Sequence, residues 1–479
     1  MSTHCHAEGK RKRKSKRSGS TTPTPFSALP EPERKVVSEK VSDLFSCDFC
    51  ARVLSGAPTG LRQRILTIEV VMISLLQYVV GTMESFLALI DKLRCGSVPG
   101  LREVEVSPQA FYGRLRALPH TLFVDLLRET TRQLRHSKHP VRQWLKELAP
   151  FANGIYAMDD TTLDALARKS KLLQQYPKGA MVTLGGRLGC ILDLVTGKFA
   201  EILYDPDSAA NEKNHARPLI ERIGQGGLYV FDLGYFAFPF LDYLTEGKNW
   251  FVTRMRAKTS FKVIHVMAEN THYRDRLVWL GKYAADRAAY PVRLVELQIN
   301  GEWWGYLTNV LDPQRLDAAA VWALYNQRWN IEKSFATVKR ALGMAFLRVT
   351  HENGILIQIW TTLTVYQVLQ DLRLEIAATI GCRDNEISWL NLMRRISWYA
   401  EKPQTDSLRD WLNKKAPKLY LEKRGTRKRR LDALPAEVTS QCLPPPPAPD
   451  IDGLNPRAPR QGDTSRARHP RPLFIAALS

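Results

Sequence analysis

Residues 317–343 read DAAAVWALYNQRWNIEKSFATVKRALG, and this stretch determines how the rest of the chain is interpreted. The pattern predicts one long helix, because Asp317 is a favourable N-cap, alanine favours helices, and Gly343 is suited to end one. At roughly 100° per residue, a sector of about 60° on that helix carries four side chains with functional groups. They are Tyr325, Arg328, Glu332 and Lys339.

An acid, two bases and a phenol on one face are typical neither of a buried face nor of a solvated one. The plain alternative is an exposed helix with an ion pair four residues apart, Arg328 with Glu332. The full spacing Tyr-x2-Arg-x3-Glu-x6-Lys resembles the signature of bacterial insertion-sequence transposases with a DDE active site, in the branch called family four. The resemblance implies that Glu332 is the third metal-binding carboxylate. It also implies that Tyr325, Arg328 and Lys339 bind DNA.

Two upstream aspartates complete the resemblance. Asp159 follows the apolar run at 154–158, and Asp232 follows the run GLYVF at 227–231. Functional groups gather at strand ends in open α/β sheets, although a single aspartate there is more often a turn or cap residue. Three carboxylates in this order, separated by the expected elements, predict a catalytic site of Asp159, Asp232 and Glu332.

Both aspartate motifs depart from the family pattern at their second position. DDTT at 159–162 resembles the first motif, but Asp160 stands where a small residue usually follows the catalytic aspartate. Side chains alternate between the faces of a strand, so only one of Asp159 and Asp160 can point to a common site. We favour Asp159 as the ligand. DLGY at 232–235 resembles the second motif, commonly Asp-Arg-Gly-Tyr, with leucine in place of the arginine.

The carboxylates suit Mg²⁺, which prefers hard oxygen ligands and also accepts phosphate oxygens. The resemblance implies two such ions, with Mn²⁺ able to replace them, held by Asp159, Asp232 and Glu332. Two ions about 4 Å apart can activate water or a 3′-hydroxyl and stabilise the leaving oxygen, so one site serves both strand cleavage and strand transfer. Arg328 and Lys339 are spaced to neutralise flanking phosphates.

The order of elements predicts an α/β fold. After residue 153 the pattern runs three strands, a helix, a strand, a helix and a strand. This order resembles the ribonuclease H-like core, a mixed sheet flanked by helices. Strand-like runs at 292–299 and 303–310 predict a hairpin around Asn300-Gly301, and the segment 354–374 predicts a second buried helix.

The predicted division of the chain follows these elements. It comprises a basic disordered tail at 1–35, a helical DNA-binding domain at 36–150, a catalytic core in two segments at 151–259 and 317–380, a β-rich insertion between them at 260–316, a helical basic region at 381–430, and a disordered Pro/Arg-rich tail at 431–479. By resemblance, the N-terminal domain binds the inverted repeats. Its helix at Ser107-Pro108 carries Arg114 and Arg116, which fit a DNA-reading helix and an ordinary solvated helix equally well.

Charge and composition predict the partner and the compartment. The 479-residue chain has a net charge of +21, a surplus that points to a polyanion. We expect double-stranded DNA, as inverted-repeat ends and as target, and the resemblance implies a homodimer in a synaptic complex. Seven scattered cysteines suit a reducing cytosol, and the resemblance implies the bacterial cytoplasm, near the nucleoid. Cys47 and Cys50 form at most half a zinc site. The apolar stretch at 65–90 contains charged residues and predicts buried helices rather than a membrane span.

These features predict a DNA transposase that acts on the ends of its own insertion sequence. One alternative is a ribonuclease H-fold nuclease without strand transfer, which the Tyr/Arg/Lys face argues against. Another is a non-enzymatic DNA-binding descendant of a transposase, which would be expected to lose its carboxylates. Trp303 or Trp304 could stack on a flipped base, as an insertion-domain tryptophan does in some relatives, but buried packing is the more common fate of such residues.

Overall fold

A computed structural model of the chain describes residues 65–81, 83–98, 101–135, 142–163, 186–207, 209–281, 287–344, 347–349, 351–401, 435–440, 442 and 474–476. Several predictions fall outside these residues: the tail at 1–35, the Cys47–Cys50 pair, a further strand at 181–184, and most of the regions at 381–430 and 431–479.

Five helices form the described N-terminal region of the chain. They are α1 (Ile68–Val80), α2 (Phe86–Arg94), α3 (Pro108–Ala117), α4 (Thr121–Arg135) and α5 (Gln143–Leu148). As predicted, α3 begins at Ser107-Pro108, where Ser107 Oγ accepts a hydrogen bond from the Ala110 amide at 3.1 Å. α1 is buried along nearly its whole length. None of the described helices combines the length and the apolarity that crossing a membrane requires.

The described strands form one mixed sheet. They are β1 (Gly154–Thr162), β2 (Arg187–Asp193), β3 (Phe199–Asp205), β4 (Gly227–Phe231), β5 (Trp250–Arg254), β6 (Phe261–Glu269), β7 (Tyr273–Leu280), β8 (Val292–Ile299), β9 (Glu302–Thr308) and β10 (Phe474–Ala476). Their order across the sheet is β10-β3-β2-β1-β4-β5-β9-β8-β7-β6. β1, β4 and β5 are parallel neighbours, and the other pairs are antiparallel.

Helices cover both faces of this sheet. α6 (Lys213–Ile223) and α7 (Phe238–Glu246) connect the parallel strands, since parallel neighbours require a crossover. Because side chains alternate along a strand, β1 contributes to two cores: Ile155 and Ala157 pack with the N-terminal helices, and Met158 packs with α6 and α7. The predicted α/β class and the predicted order of elements are confirmed, although α6 begins at Lys213 rather than near 209.

The β-rich segment predicted as an insertion extends the same sheet. β9 pairs antiparallel with β5, so β6 to β9 continue the sheet beyond the parallel strands. The predicted hairpin turn is present: Asn300 and Gly301 have φ of 53° and 82°, the left-handed geometry that a two-residue turn needs. Inside this segment the buried Arg293 guanidinium forms a bidentate pair with Asp275, at 2.8 and 2.6 Å, and also donates to the Leu316 carbonyl just before the next helix.

The chain then returns to the core through α8 (Ala318–Asn326), α9 (Trp329–Ala336) and α10 (Glu352–Ile380), followed by α11 (Trp389–Glu401) and α12 (Ala436–Thr439). α10 is the predicted second buried helix, and its 29 residues exceed the predicted length. It is tied to the sheet by polar contacts: Lys198 Nζ lies 2.7 Å from Asp371, and Gln367 accepts from the Phe199 amide at 3.0 Å.

A buried ion pair joins the N-terminal helices to the turn after α10. Arg142 donates to both carboxylate oxygens of Asp384, at 3.0 and 2.7 Å. Burial alone would raise the pKa of Asp384, but the charge and hydrogen bonds of Arg142 outweigh burial and lower the pKa to about 2.

We expect Asp384→Asn to lower the free energy of unfolding by about 2–4 kcal/mol at pH 7, since the change leaves a buried guanidinium unpaired. The folded pKa is depressed, so the pair's contribution is complete above about pH 4 and disappears as the pH falls through about 2. Denaturant titrations at pH 7 and pH 3 measure it. Asp91→Asn, which breaks the exposed pair with Arg94, is the control and should change stability by at most about 0.5 kcal/mol. Equal effects of the two substitutions would contradict the prediction.

Candidate functional site

Two of the predicted carboxylates lie side by side just beyond the paired segment of two parallel strands, Asp159 within β1 and Asp232 directly after β4. The register of β1 and β4 pairs Ala157 with Val230. Two residues further along each strand bring Asp159 beside Asp232, on neighbouring strands spaced about 4.8 Å apart. Asp232 caps a short 3₁₀ turn, where its Oδ1 accepts from the Gly234 amide at 2.7 Å. The two aspartates therefore occupy the same edge of the sheet.

Asp159 lies in a strongly acidic, poorly solvated environment. Its pKa is raised to about 7, first by burial and further by the charges of Asp232 and Glu332. A hydrogen bond from the Asp160 amide to Asp159 Oδ1, at 2.8 Å, and the positive charge of Arg328 oppose the rise. The three predicted carboxylates thus interact electrostatically in the folded chain.

Asp160 has different surroundings from its neighbour. Its carboxylate is fully buried and accepts from the Tyr235 hydroxyl at 2.7 Å, while His215 Nδ1 lies 2.6 Å away. Arg187 Nε lies 3.3 Å from the same group. Successive side chains on β1 alternate in direction, so Asp159 meets Asp232 and Glu332 while Asp160 meets α6 and the turn after β4.

The prediction of one continuous helix over 317–343 is wrong. α8 and α9 are separated at Gln327 and Arg328, where amides bond three residues back instead of four: Arg328 N to Tyr325 O at 3.0 Å and Asn330 N to Gln327 O at 2.9 Å. A π-helical turn, Thr337–Ala341, follows α9. Asparagine is a weak helix former, and the Asn330 side chain donates to Gln327 Oε1 at 2.8 Å, which closes the tightened turn. Such turns inside helices are frequent at functional sites.

The tightened turn buries Arg328 and leaves Trp329 exposed. Arg328 is only 7% exposed, and its Nη1 lies 2.7 Å from Glu332 Oε1. Burial lowers the pKa of Arg328, but the hydrogen bond to Glu332 and the nearby negative charges, among them Asp232, raise it overall. The Nε of Arg328 has no hydrogen-bond partner among the described residues. That nitrogen is itself buried, and the guanidinium contacts Glu332 through Nη1.

Lys339 and Tyr325 border the same edge of the sheet. Lys339 Nζ bonds to the Thr161 hydroxyl and lies 3.1 Å from the Thr162 carbonyl. Burial lowers the Lys339 pKa, and the charges of Cys190 and Asp159 oppose that shift. The Tyr325 ring packs on Tyr306, with centroids 5.3 Å apart. Burial raises the Tyr325 pKa, which the charges of Arg328 and Arg254 counteract.

Two residues beside the site escaped the sequence analysis. Arg254 ends β5, the next parallel strand, and its guanidinium lies 4.2 Å from the Trp304 ring centroid; an arginine at the end of a strand beside the two aspartate-bearing strands is the signal that could have identified it. Glu212, at the start of α6, has a pKa raised by burial and then by Asp232. A Cβ on Gly234 would lie 2.0 Å from Glu212 Oε1, so the glycine makes room for that carboxylate.

The expectation of buried packing is wrong for Trp303. Its side chain is 37% exposed, with Arg274 stacked 4.3 Å from the ring centroid. Trp304 is half-buried beneath Arg254. The two tryptophans lie at the sheet's edge near the turn of the β8–β9 hairpin, where few neighbours can cover a large ring.

The donor set fits a hard divalent cation. Among the described residues, Asp159, Asp232 and Glu332 each have one carboxylate oxygen engaged by a hydrogen-bond donor and the other uncommitted. Mutual repulsion and a raised Asp159 pKa indicate an excess of negative charge that a cation would neutralise. Over the same residues, no three metal-ligating side chains are close enough together to hold one ion.

Comparisons with known proteins agree on one class. Residues 151–368 match the family model described as the transposase DDE domain. A putative transposase, y4zB, of Sinorhizobium fredii (strain NBRC 101917 / NGR234) is 26% identical over 195 residues, covering 37% of this chain and 53% of that protein. The transposase InsG of insertion sequence element IS4 from Escherichia coli (strain K12) is 23% identical over 192 residues, which cover 37% of this chain and 42% of that protein. The chain thus spans about half the length of the curated relatives it matches.

Solved structures are also similar, among them the piggyBac transposase in a synaptic complex with hairpin DNA, determined by cryo-electron microscopy. The two chains are 11% identical, the match covers 87% of this chain and 91% of that chain, and the TM-score is 0.36. The matched domain and the sequence relatives support an insertion-sequence DDE transposase.

Proposed function

We propose that this chain is the transposase of a bacterial insertion sequence in the family-four branch, and that it cleaves DNA at its element's inverted repeats and joins those ends to target DNA. The observation that carries the proposal is the convergence of three carboxylates and two cationic side chains at one edge of the sheet. Asp159 interacts there with Asp232 and Glu332, and Arg328 and Lys339 border them. The DDE-domain match over 151–368 supports the same reading.

The arrangement of strands supports a ribonuclease H-like core. Three antiparallel strands, β3, β2 and β1, continue into the parallel strands β4 and β5. The proposed ligand Asp159 lies within β1, and the proposed ligand Asp232 directly follows the neighbouring strand β4. The Glu332-bearing helix α9 packs on β1. This topology brings residues from three distant regions of the sequence to one edge.

In the proposed mechanism, Asp159, Asp232 and Glu332 would hold two Mg²⁺ ions, or Mn²⁺ in their place. Such ions would supply activation of the attacking water or 3′-hydroxyl and stabilisation of the leaving oxygen. Positively charged side chains of the protein would bind the phosphates of the DNA. Arg328 lies against Glu332, and Lys339 lies at the end of β1 beside Asp159. Each places a positive charge where it would attract a phosphate flanking the scissile bond.

Other parts of the chain would extend the contact with DNA. Arg254 and Trp304 lie beside Tyr325 and extend the cationic, aromatic edge. The exposed Trp303 has a free ring area on which an unpaired base could stack. The helical N-terminal region would bind the inverted repeats, and two copies of the chain would bring two ends together in the bacterial cytoplasm. The net charge of +21 favours binding along the DNA backbone.

Divalent metal is expected to be required for cleavage and not for binding. The substrate is a labelled duplex carrying the inverted repeat and flanking DNA from the gene's own locus. Mg²⁺ or Mn²⁺ should support nicking at the repeat's end, and Ca²⁺ should support a mobility shift without nicking, because Ca²⁺ occupies carboxylate sites with a looser geometry. A duplex with a scrambled repeat is the control. Undiminished cutting in excess chelator would exclude the mechanism.

A further inference from the structure

The side chains around Asp160 form a buried polar cluster that the proposed chemistry does not use. The cluster consists of Asp160, Arg187, Asp205, His215 and Tyr235. They come from the ends of β1, β2 and β3, from helix α6, and from the 3₁₀ turn that follows β4. The cluster thus joins the strand that bears Asp159 to the turn that bears Asp232.

His215 is the centre of this cluster. Its Nδ1 lies 2.6 Å from Asp160 and its Nε2 lies 2.9 Å from Asp205, with the ring fully buried. Burial lowers the pKa of His215, but the hydrogen bonds and charges of the two aspartates outweigh burial and raise it. An ionised carboxylate only accepts hydrogen bonds, so a ring that bonds one at each nitrogen is an imidazolium. A cation thus bridges two acids inside the fold.

Tyr235 links the cluster to the second proposed ligand. Its hydroxyl donates to Asp160 Oδ1 at 2.7 Å, and it stands three residues after Asp232 in the same turn. Burial raises the pKa of Tyr235 well above its usual range, so the hydroxyl stays a donor. On the β1 side, the Asp160 amide donates to Asp159 Oδ1 at 2.8 Å. Asp160 is therefore hydrogen-bonded directly to Asp159 and, through Tyr235, to the turn that carries Asp232.

The cluster is packed without spare room. A Cβ on Gly189, the β2 partner of Asp160, would lie 2.9 Å from His215 Cβ and 3.1 Å from Asp160 Oδ1. Arg187 closes another side: it lies 3.3 Å from Asp160, and its Nη1 donates to the Ala210 carbonyl at 2.5 Å. Such packing restricts Asp160 to one rotamer and fixes the backbone that carries Asp159.

We infer that Asp160, His215 and Tyr235 are positioning residues that set the spacing of Asp159 and Asp232 for metal. The inference rests on the proposed function, since it assigns a role relative to its metal ligands. Groups that orient metal ligands from behind usually contribute about 10- to 100-fold to metal affinity. Asp160 stands where the resembled family usually has a small residue, and in this inference its side chain positions the neighbouring ligand, Asp159.

The test compares metal binding with cleavage in full-length variants. Tyr235→Phe removes one hydroxyl from the cluster. Tyr229→Phe is the matched control, because it removes a hydroxyl from the same core, and that hydroxyl has no hydrogen-bond partner among the described residues. His215→Gln keeps a polar side chain but removes the bridging charge. Free Mn²⁺ is counted by electron paramagnetic resonance without DNA, and cleavage is followed across a Mn²⁺ series.

We expect Tyr235→Phe to weaken Mn²⁺ binding about tenfold and His215→Gln more strongly. Cleavage by Tyr235→Phe should recover towards the wild-type rate at saturating Mn²⁺, whereas Tyr229→Phe should match wild type throughout. If the role of Tyr235 were purely structural, Tyr235→Phe would lower the melting temperature. The protein that remains folded would still bind Mn²⁺ with the wild-type affinity. Folded Tyr235→Phe with wild-type Mn²⁺ affinity would overturn the inference. A wild-type protein that neither binds Mn²⁺ nor cuts would overturn the proposed function, and this inference with it.

Discussion

Replacing Asp159 with asparagine is expected to abolish DNA cleavage and at the same time to stabilise the metal-free protein. Cleavage should fall by at least about 10³-fold, because the carboxylate would contact the ions that carry the chemistry. Stability should rise because Asp159 is buried and repelled by Asp232 and Glu332, which raises its pKa to about 7. Asparagine has the same shape and can still accept the Asp160 amide, but it carries no charge.

The pH dependence of this stabilisation has a definite sign. An aspartate with a pKa of about 7 in the folded chain and 3.8 as its ordinary value binds its proton more tightly when folded. The wild-type protein therefore loses stability as the pH rises from about 4 through about 7. Asp159→Asn should match wild type near pH 4 and exceed it by roughly 2–4 kcal/mol at pH 8 in chelator. Thermal unfolding at the two pH values measures the difference.

Asp160→Asn is the matched control for this prediction. Asp160 bonds to Tyr235 and His215 and pairs with Arg187, so neutralising it should lower stability at pH 8 instead of raising it. It should also keep measurable cleavage at high metal concentration. The opposite ranking of the two aspartates, in stability or in cleavage, would show that the ligand has been misassigned.

Glu332→Gln is expected to remove cleavage at every salt concentration without weakening DNA binding. The substitution takes away one proposed metal ligand and one negative charge beside a polyanion, so binding should stay equal or tighten. Arg328→Ala should act differently. It removes a phosphate contact, and we expect weaker binding of the cleavage-site DNA with a salt slope reduced by about one unit. Lys339→Ala should resemble Arg328→Ala. Cleavage and binding across a salt series separate the two roles.

Glu129→Gln provides the comparison for Glu332→Gln. Glu129 pairs with the exposed Arg132 on α4, another helical acid–base pair, and the loss of such an exposed pair has little effect on stability. If the α9 helix were only a solvated face, Glu332→Gln would behave in the same way and leave cleavage unchanged. A near-normal cleavage rate for Glu332→Gln would refute the proposed site.

Much of the fold follows from local patterns in the sequence. Strands that are buried on both sides read as continuous apolar runs, so the run GLYVF at 227–231 coincides with the observed β4. The hairpin at Asn300-Gly301 needs left-handed backbone angles, which those residue types accept. The cap at Ser107 is equally local. The prediction of an insertion did not reveal that β9 pairs with β5, because strand pairing between distant segments leaves no periodic signal.

The features of the site that sequence could not supply depend on tertiary contacts. Regular spacing placed Tyr325, Arg328, Glu332 and Lys339 on one face, but it could not show the tightened turn at Gln327 or the widened one at Lys339. The tightened turn depends on the hydrogen bond from the Asn330 side chain to Gln327. The widened turn depends on the hydrogen bond from Lys339 to the Thr162 carbonyl at the end of β1. Likewise, alternation separates Asp159 from Asp160, but the partners of Asp160 come from α6 and the β4 turn, which only the folded chain brings together.

The pairing of β5 with β9 has a consequence for the timing of biosynthesis. During translation Asp232 leaves the ribosome well before Glu332, which is about 100 residues further on; at ~5–20 residues per second this interval is roughly 5–20 s. β6 to β9, which extend the sheet from β5, are synthesised in that interval, before α8 and α9, and α9 packs on β1. A nascent chain therefore carries two aspartates without their third partner. Under the proposed function, a product truncated before Glu332 would lack the third proposed ligand and would not cut DNA.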